Sequence, residues 1–277
     1  MAAIDWSPPW LAPYRADGEA VERSMPGGST AAALNGVARG PGAASTGTAR
    51  TGVGEAIPHF VPHEALPPGE PYERFIFDTG GVPTRNNLHD FFNGLVWLRF
   101  PRTKRRLNAL QAAEIARVGI GATRGPLRDA LTLFDENGAV LDAPAVLREA
   151  LVARDWHRLF VTERARWQEA RLLVFGHALM EKLVAPRKPA TAHVLMAPAG
   201  ALSQSPGSEA SADEAIAATL QAAHLATKPF VALPVLGVPG WWAPNEDPAF
   251  YGDSGVFRPP RSAESPPAPQ ERSRRPA

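Results

Sequence analysis

Two pairs of side chains are of the types that could do chemistry. His177 and Glu181 stand four residues apart in ERARWQEARLLVFGHALMEKLVA, which reads as one long helix from Thr162 to Pro186. At that spacing their Cβ atoms would lie about 5–6 Å apart on one face. Leu173, Val174, Met180 and Val184 surround them, and Leu172, Phe175, Leu179 and Leu183 make the opposite side apolar too, so this helix is expected to be buried all round. A buried imidazole and carboxylate must be paired, hydrogen-bonded or bound to metal. A second polar stripe, His89, Asn93 and Trp97 with Asp90 beside it, begins an earlier predicted helix. Arg128, Asp129, Thr132, Asp135 and Glu136 could supply further carboxylates.

If the two helices pack with His89 toward His177, two imidazoles converge with Glu181 or Asp129. Two histidines and a carboxylate suit zinc, manganese or iron, and a bound divalent metal could activate water for hydrolysis of a phosphoester or similar bond. In that reading His89, His177 and Glu181 are the metal ligands, and Asp90 or Asp129 is the catalytic base or orienter. The sequence by itself does not give the function, and the plainer reading, a domain without catalysis whose buried polar groups specify its fold, comes before this one. An acid at a helix start compensates the helix dipole, and a His-x-x-x-Glu pair is often a structural hydrogen bond. The chain has no His-Glu-x-x-His run, no credible glycine-rich phosphate loop and no serine nucleophile elbow.

The strongest local charge is the run Arg99, Arg102, Lys104, Arg105 and Arg106. Arg102, Lys104, Arg105 and Arg106 could hold phosphates of a nucleotide or nucleic acid. The near-neutral total of +1 favours a solvated helix end instead. Five aromatic residues between Trp241 and Phe257 could line a pocket or lie as an irregular lid on the core.

The elements that must position these residues follow from periodicity and punctuation. IDWSPPWLAPYR reads as an extended segment anchored by Trp6, Trp10 and Tyr14. Asn86 or Asn87 caps a helix through LHDFFNGLVWLRF that Pro101 stops. A second helix runs from about Thr103 to Val118, with Gly119 beyond it. ALTLFDENGAVLDA reads as a hairpin around Asn137-Gly138. Pro144 opens a helix to about Ala153, TAHVLMAP is a strand, and Ser211 with Glu214 forms a capping box for a helix to Leu225. The expected fold is α+β and predominantly α-helical, with about six helices, one or two small β-hairpins and a single globular core.

Composition sets the outer limits. The chain has 277 residues and no cysteine, which removes disulfides, thiolate metal sites and a cysteine nucleophile. Residues 24–55 and 259–277 hold few large apolar side chains, so a disordered insert and a disordered tail are expected there. Residues 1–23 are expected to pack on one domain formed by residues 56–258. The opening residues show no basic region before an apolar one. The longest apolar run, Pro229 to Pro244, is broken by prolines and glycines. Membrane insertion is therefore not expected, and the cytoplasm is the expected compartment.

FVPHEALPPGEPYERFI, GGVPTRNNLHDFFNGLVWLRFPRTKRRLNALQ, RDALTLFDENG, LLVFGHALMEK and LPVLGVPGWWAPNEDPAFYGD resemble, block by block, a proteobacterial family known as domain of unknown function 3025. The likeness covers most of the chain from Phe60 to Arg258. It implies no catalytic roles, because the family carries no established activity.

Overall fold

A computed structural model describes residues 4–25, 28–40, 59–119, 125–202 and 208–259. The N-terminal segment turns through a single 3-10 turn into α1 (Arg15–Ser24) and is followed by α2 (Thr30–Arg39). Trp6, Trp10 and Tyr14 are all buried, and the Tyr14 hydroxyl donates to the Val174 carbonyl at 2.8 Å. Two expectations change here. From Ala12 the segment turns helical where an extended path was expected, because Pro13 falls at the start of a turn, where its fixed φ is favourable, whereas residues 4–7 form no helix. Part of the expected insert is α2, whose Ala31, Ala33, Leu34 and Ala38 are buried. Small alanines supply the apolar face that a search for large side chains overlooks. Residues 41–58 and the tail from 260 lie outside the described residues.

β1 (His59–Pro62), α3 (Tyr72–Thr79) and β2 (Gly81–Thr84) form a small unit in which β1 and β2 run parallel, Phe60 opposite Val82. Asn35 of α2 closes the free edge of β1. Its Oδ1 accepts from the Phe60 amide at 2.9 Å and its Nδ2 donates to the Phe60 carbonyl at 2.7 Å.

The central helix is α4 (Leu88–Arg99), which starts where Asn87 Oδ1 accepts from the Asp90 amide at 2.7 Å. Every residue from Asp90 to Trp97 is buried. Gly94 allows α2 to approach, since a Cβ there would come within 2.3 Å of Leu34. Pro101 opens α5 (Pro101–Val118) directly after Phe100. The first amides of α5 are satisfied from far along the chain. The Asp213 carboxylate accepts from Arg102 N at 2.8 Å and from Thr103 N at 2.9 Å.

α6 (Pro126–Asn137) runs straight into β3 (Gly138–Asp142), and α7 (Ala145–Ala153) follows. The expected hairpin at Asn137-Gly138 is thus a helix-to-strand junction. Pro126 at the helix start, with Ala130, Leu131 and Phe134 buried at helical spacing, decides it. Gly138 is needed there, because a Cβ would lie 2.3 Å from the Phe134 carbonyl oxygen.

The expected long helix from Thr162 is likewise replaced. It divides into short irregular turns, β4 (Arg171–Val174) and α8 (His177–Leu183). Its uniform apolarity comes from a sheet, with Leu172 paired to Leu141 of β3. β5 (Thr191–Met196) occupies the expected strand. α9 (Ser208–Thr219) begins before Ser211, so that residue is not its cap; α10 (Ala222–Leu225) and β6 (Val231–Pro234) complete the elements. The four-stranded sheet has the order β4-β3-β5-β6, with β3 and β5 parallel and both outer pairs antiparallel. The fold is therefore mostly helical with two small sheets. It has ten α-helices among the described residues, not about six, and a mixed sheet where hairpins were expected. No helix among the described residues is long and apolar enough to cross a membrane.

Candidate metal centre

α8 packs against both α4 and α6, and this places the site. Gly176, immediately before α8, lies on the end of α6. A Cβ at that position would sit 2.5 Å from the Glu136 carbonyl oxygen and 2.6 Å from Asn137 Cα. Only glycine lets the two backbones come this close. His177, the first residue of α8, is thereby brought beside Asp135 and Glu136 at the end of α6.

His89, in the first turn of α4, faces it. The two Nε2 atoms are 3.1 Å apart, and the rings meet edge to face at 77°. His89 Nδ1 is 3.1 Å from Glu181 Oε2. An ionised carboxylate only accepts, so Nδ1 of His89 carries a proton, and in the neutral ring the lone pair on Nε2 is the one that faces His177. Glu136 joins the two imidazoles: one ligand atom from each of His89, Glu136 and His177 lies within 4.8 Å of the others.

His177 is 4 % exposed, and its Nδ1 has no hydrogen-bond partner; the Asp135 carboxylate is 3.8 Å away. Burial pushes His177 down to about 4, and the Asp135 charge only partly opposes this. The ring is therefore neutral near pH 7 and has a lone pair to offer. Burial alone would raise the Asp135 carboxyl, but the Lys104 ammonium and its hydrogen bond, joined by the two imidazoles where low pH protonates them, outweigh it and hold it below the usual range. Lys104 is buried and donates to Asp135 Oδ1 at 2.6 Å and to Asn93 Oδ1 at 2.8 Å. Asn93 Nδ2 donates to the Tyr72 hydroxyl at 3.0 Å.

These groups share a cavity of about 320 Å³, within the size range of small-molecule sites. His89, His177 and Glu136 line it together with Asp90, Lys104 and Tyr72.

The other expected site residues take different places. Asp90 accepts three hydrogen bonds from Arg85, through the backbone amide at 2.6 Å and the guanidinium at 3.0 Å twice. Asp129 is exposed, pairs with Lys228 and is not among the residues lining the cavity. Glu181 meets His89 from the Nδ1 side, away from His177. The basic run does not form one surface. Lys104 faces the cavity, Arg102 pairs with Glu214, Arg106 donates to the Leu220 carbonyl, and Arg105 is half-buried. Tyr72 is a cavity residue that the motifs do not point to, and Lys104, expected in a phosphate-holding or solvated run, is buried. Its signal was present: Lys104, Leu107, Gln111 and Ile115 follow three- and four-residue steps, which put a lysine on the apolar stripe of α5.

An α+β protein with two histidines and a glutamate at one cavity is the class that this fold and site define. A model of the family described as "Protein of unknown function (DUF3025)" matches residues 58–261. The chain belongs to that family, whose description assigns no activity, and every residue of the site falls inside the matched region. Searches of curated proteins and of solved structures find no match to the chain.

Proposed function

We propose that His89, His177 and Glu136 bind one divalent transition ion, zinc by the chemistry of the donors, and that the ion activates water for hydrolysis of a small substrate in the cavity. The observation that carries this reading is the 3.1 Å separation of the two Nε2 atoms. Two nitrogens bound to one tetrahedral zinc at about 2.0–2.1 Å are about 3.3 Å apart, so the pair needs little movement to chelate. Without a cation, one ring must donate to the other, and the buried His177 Nδ1 is then an acceptor without a donor. With a cation between them, both rings carry the proton on Nδ1 and the lone pairs have a common target.

Charge supports the same reading. Asp90 is matched by Arg85 and Asp135 by Lys104, while the Glu136 side chain makes no ion pair among the described residues. Three protein ligands beside an open cavity also follow the pattern of a catalytic zinc, whose fourth position holds water; structural zinc sites are closed by four. Glu181 then orients His89 instead of binding the ion. Asp90, held by Arg85, suits ordering of the cavity wall better than taking a proton. Phosphate binding by Arg102, Lys104, Arg105 and Arg106 draws less support, because Lys104 is buried on Asp135 while Arg102 and Arg106 are engaged by Glu214 and the Leu220 carbonyl.

Titration calorimetry with zinc on metal-free protein tests the reading. The expected result is one site per chain, abolished in His89→Ala and His177→Ala variants that keep their circular dichroism spectra. Absence of zinc, manganese and iron binding by the wild-type protein would sink it.

A further inference from the structure

We infer that the Tyr72 hydroxyl is a directed hydrogen-bond donor into the cavity, and that it holds the carbonyl oxygen of a neutral acyl substrate, an amide or an ester. The substrate part rests on the hydrolase reading above. The direction of the hydroxyl rests on one chain of contacts alone.

That chain starts at Lys104. An ammonium group can only donate, so the Asn93 atom 2.8 Å from it must be the amide oxygen. This fixes the side-chain amide without ambiguity, and its NH₂ group faces Tyr72 at 3.0 Å. The Tyr72 oxygen therefore accepts, and its own proton must point elsewhere. No described residue takes that proton, and Tyr72 lines the cavity. Asp135 anchors the far end of the chain through Lys104 at 2.6 Å. Each link polarises the next, so the hydroxyl becomes a better donor than an isolated phenol. It also remains protonated: desolvation, reinforced by the Asp90 and Asp135 charges, pushes it well above the ordinary tyrosine range.

The same wall says what the donor meets. Arg85 and Lys104, the arginine and lysine that line the cavity, are each committed to a carboxylate. Zinc held by two neutral imidazoles and the single charge of Glu136 would offset only part of a dianionic phosphoester, which would find no uncommitted arginine or lysine for the remainder, and burying an unpaired charge is costly. A neutral carbonyl avoids that cost. Gln111 Oε1 is enclosed on the same cavity lining and has no partner. It offers an acceptor for an N–H, which favours an amide.

In the reaction the water oxygen bonds to the acyl carbon while the carbonyl π pair moves onto the oxygen held by Tyr72. When that pair returns, the C–N or C–O bond breaks, and the leaving group departs with a proton given up by the water. A carboxylic acid remains. Tyr72 stabilises the oxyanion between these two events.

The test uses zinc-loaded full-length protein with p-nitroacetanilide, p-nitrophenyl acetate and p-nitrophenyl phosphate. The acyl substrates are expected to be cleaved in preference to the phosphate. Tyr72→Phe should lower kcat by about 10²–10³-fold with little change in KM, as loss of an oxyanion donor does. Asn93→Asp should produce a comparable loss with Tyr72 still in place, because a carboxylate would accept the hydroxyl proton and draw it out of the cavity. Preference for the phosphate, or wild-type kcat/KM in Tyr72→Phe, overturns the substrate assignment.

A second measurement needs no metal. In the metal-free protein Asn93→Asp should shift a tyrosine near-ultraviolet band to the red, and the shift should vanish when Tyr72→Phe is added. An unshifted band overturns the assigned direction of the hydroxyl. A shifted band in a protein that binds no zinc would leave that direction standing and remove only the hydrolase reading.

Discussion

Glu181 lies one helical turn beyond His177 on α8, yet its carboxylate is 3.1 Å from Nδ1 of His89, on a different helix. One short helix thus supplies an imidazole to the site and the carboxylate that fixes the tautomer of the opposing imidazole.

A consequence for affinity follows. Replacing Glu181 with Gln keeps the size but removes the charge that holds the proton on Nδ1. Zinc affinity is expected to fall by about 10–100-fold, the usual effect of losing such an orienting partner, with the melting temperature of the metal-free protein little changed. Calorimetry on the two proteins checks this. If instead Glu136→Gln leaves affinity intact while Glu181→Gln abolishes it, Glu181 is the ligand and the assignment here is reversed.

Stability of the metal-free protein should depend on the protonation of His177. Burial holds this ring at about 4 in the folded state, whereas an unfolded histidine takes a proton near 6.5. The unfolded chain therefore binds the extra proton as pH falls through that window. Stability is undiminished by this group above about pH 6.5 and declines between there and about pH 4, by about 3 kcal/mol in all. Urea denaturation at several pH values reads this slope, and His177→Gln should make it shallower.

Gly176 is the contact point between α8 and α6. Gly176→Ala forces a Cβ against backbone atoms that cannot swing aside, and a loss of about 1–3 kcal/mol is expected. Because α8 must retreat from α6, the same change should also weaken zinc binding. A thermal melt with a parallel calorimetric titration tests both effects. An unaltered protein would show that the close approach is not required.

Lys104 and Asp135 are expected to depend on each other. Lys104→Met leaves a partly enclosed carboxylate without its cation and should cost about 2–4 kcal/mol, whereas adding Asp135→Leu should recover much of the loss. A double-mutant cycle by denaturant titration measures the coupling. Strictly additive losses would contradict it.

The elements that were legible in the sequence carry their own punctuation. Asn87 marks the start of α4, Pro144 precedes α7, and the alternation of Thr191–Met196 gives β5. The failures fall where neighbours decide. ARLLVFGHALMEK is apolar on every side as a helix, and only pairing with β3 shows that Leu172 and Leu173 belong to a strand. Asn137-Gly138 has turn chemistry, but the stripe Leu127, Ala130, Leu131 and Phe134 keeps it helical to the junction. The meeting of His89 with His177 could be posed from residue types. Which carboxylate joins them could not, because it depends on the backbone contact at Gly176.

The start of α5 is capped by Asp213, which lies 110 residues further along the chain than Thr103. Lys104, and with it the cavity wall, is therefore secured by a segment that leaves the ribosome late. The residues that line the cavity come from the middle of the chain, yet one of its walls is complete only when the last third is in place.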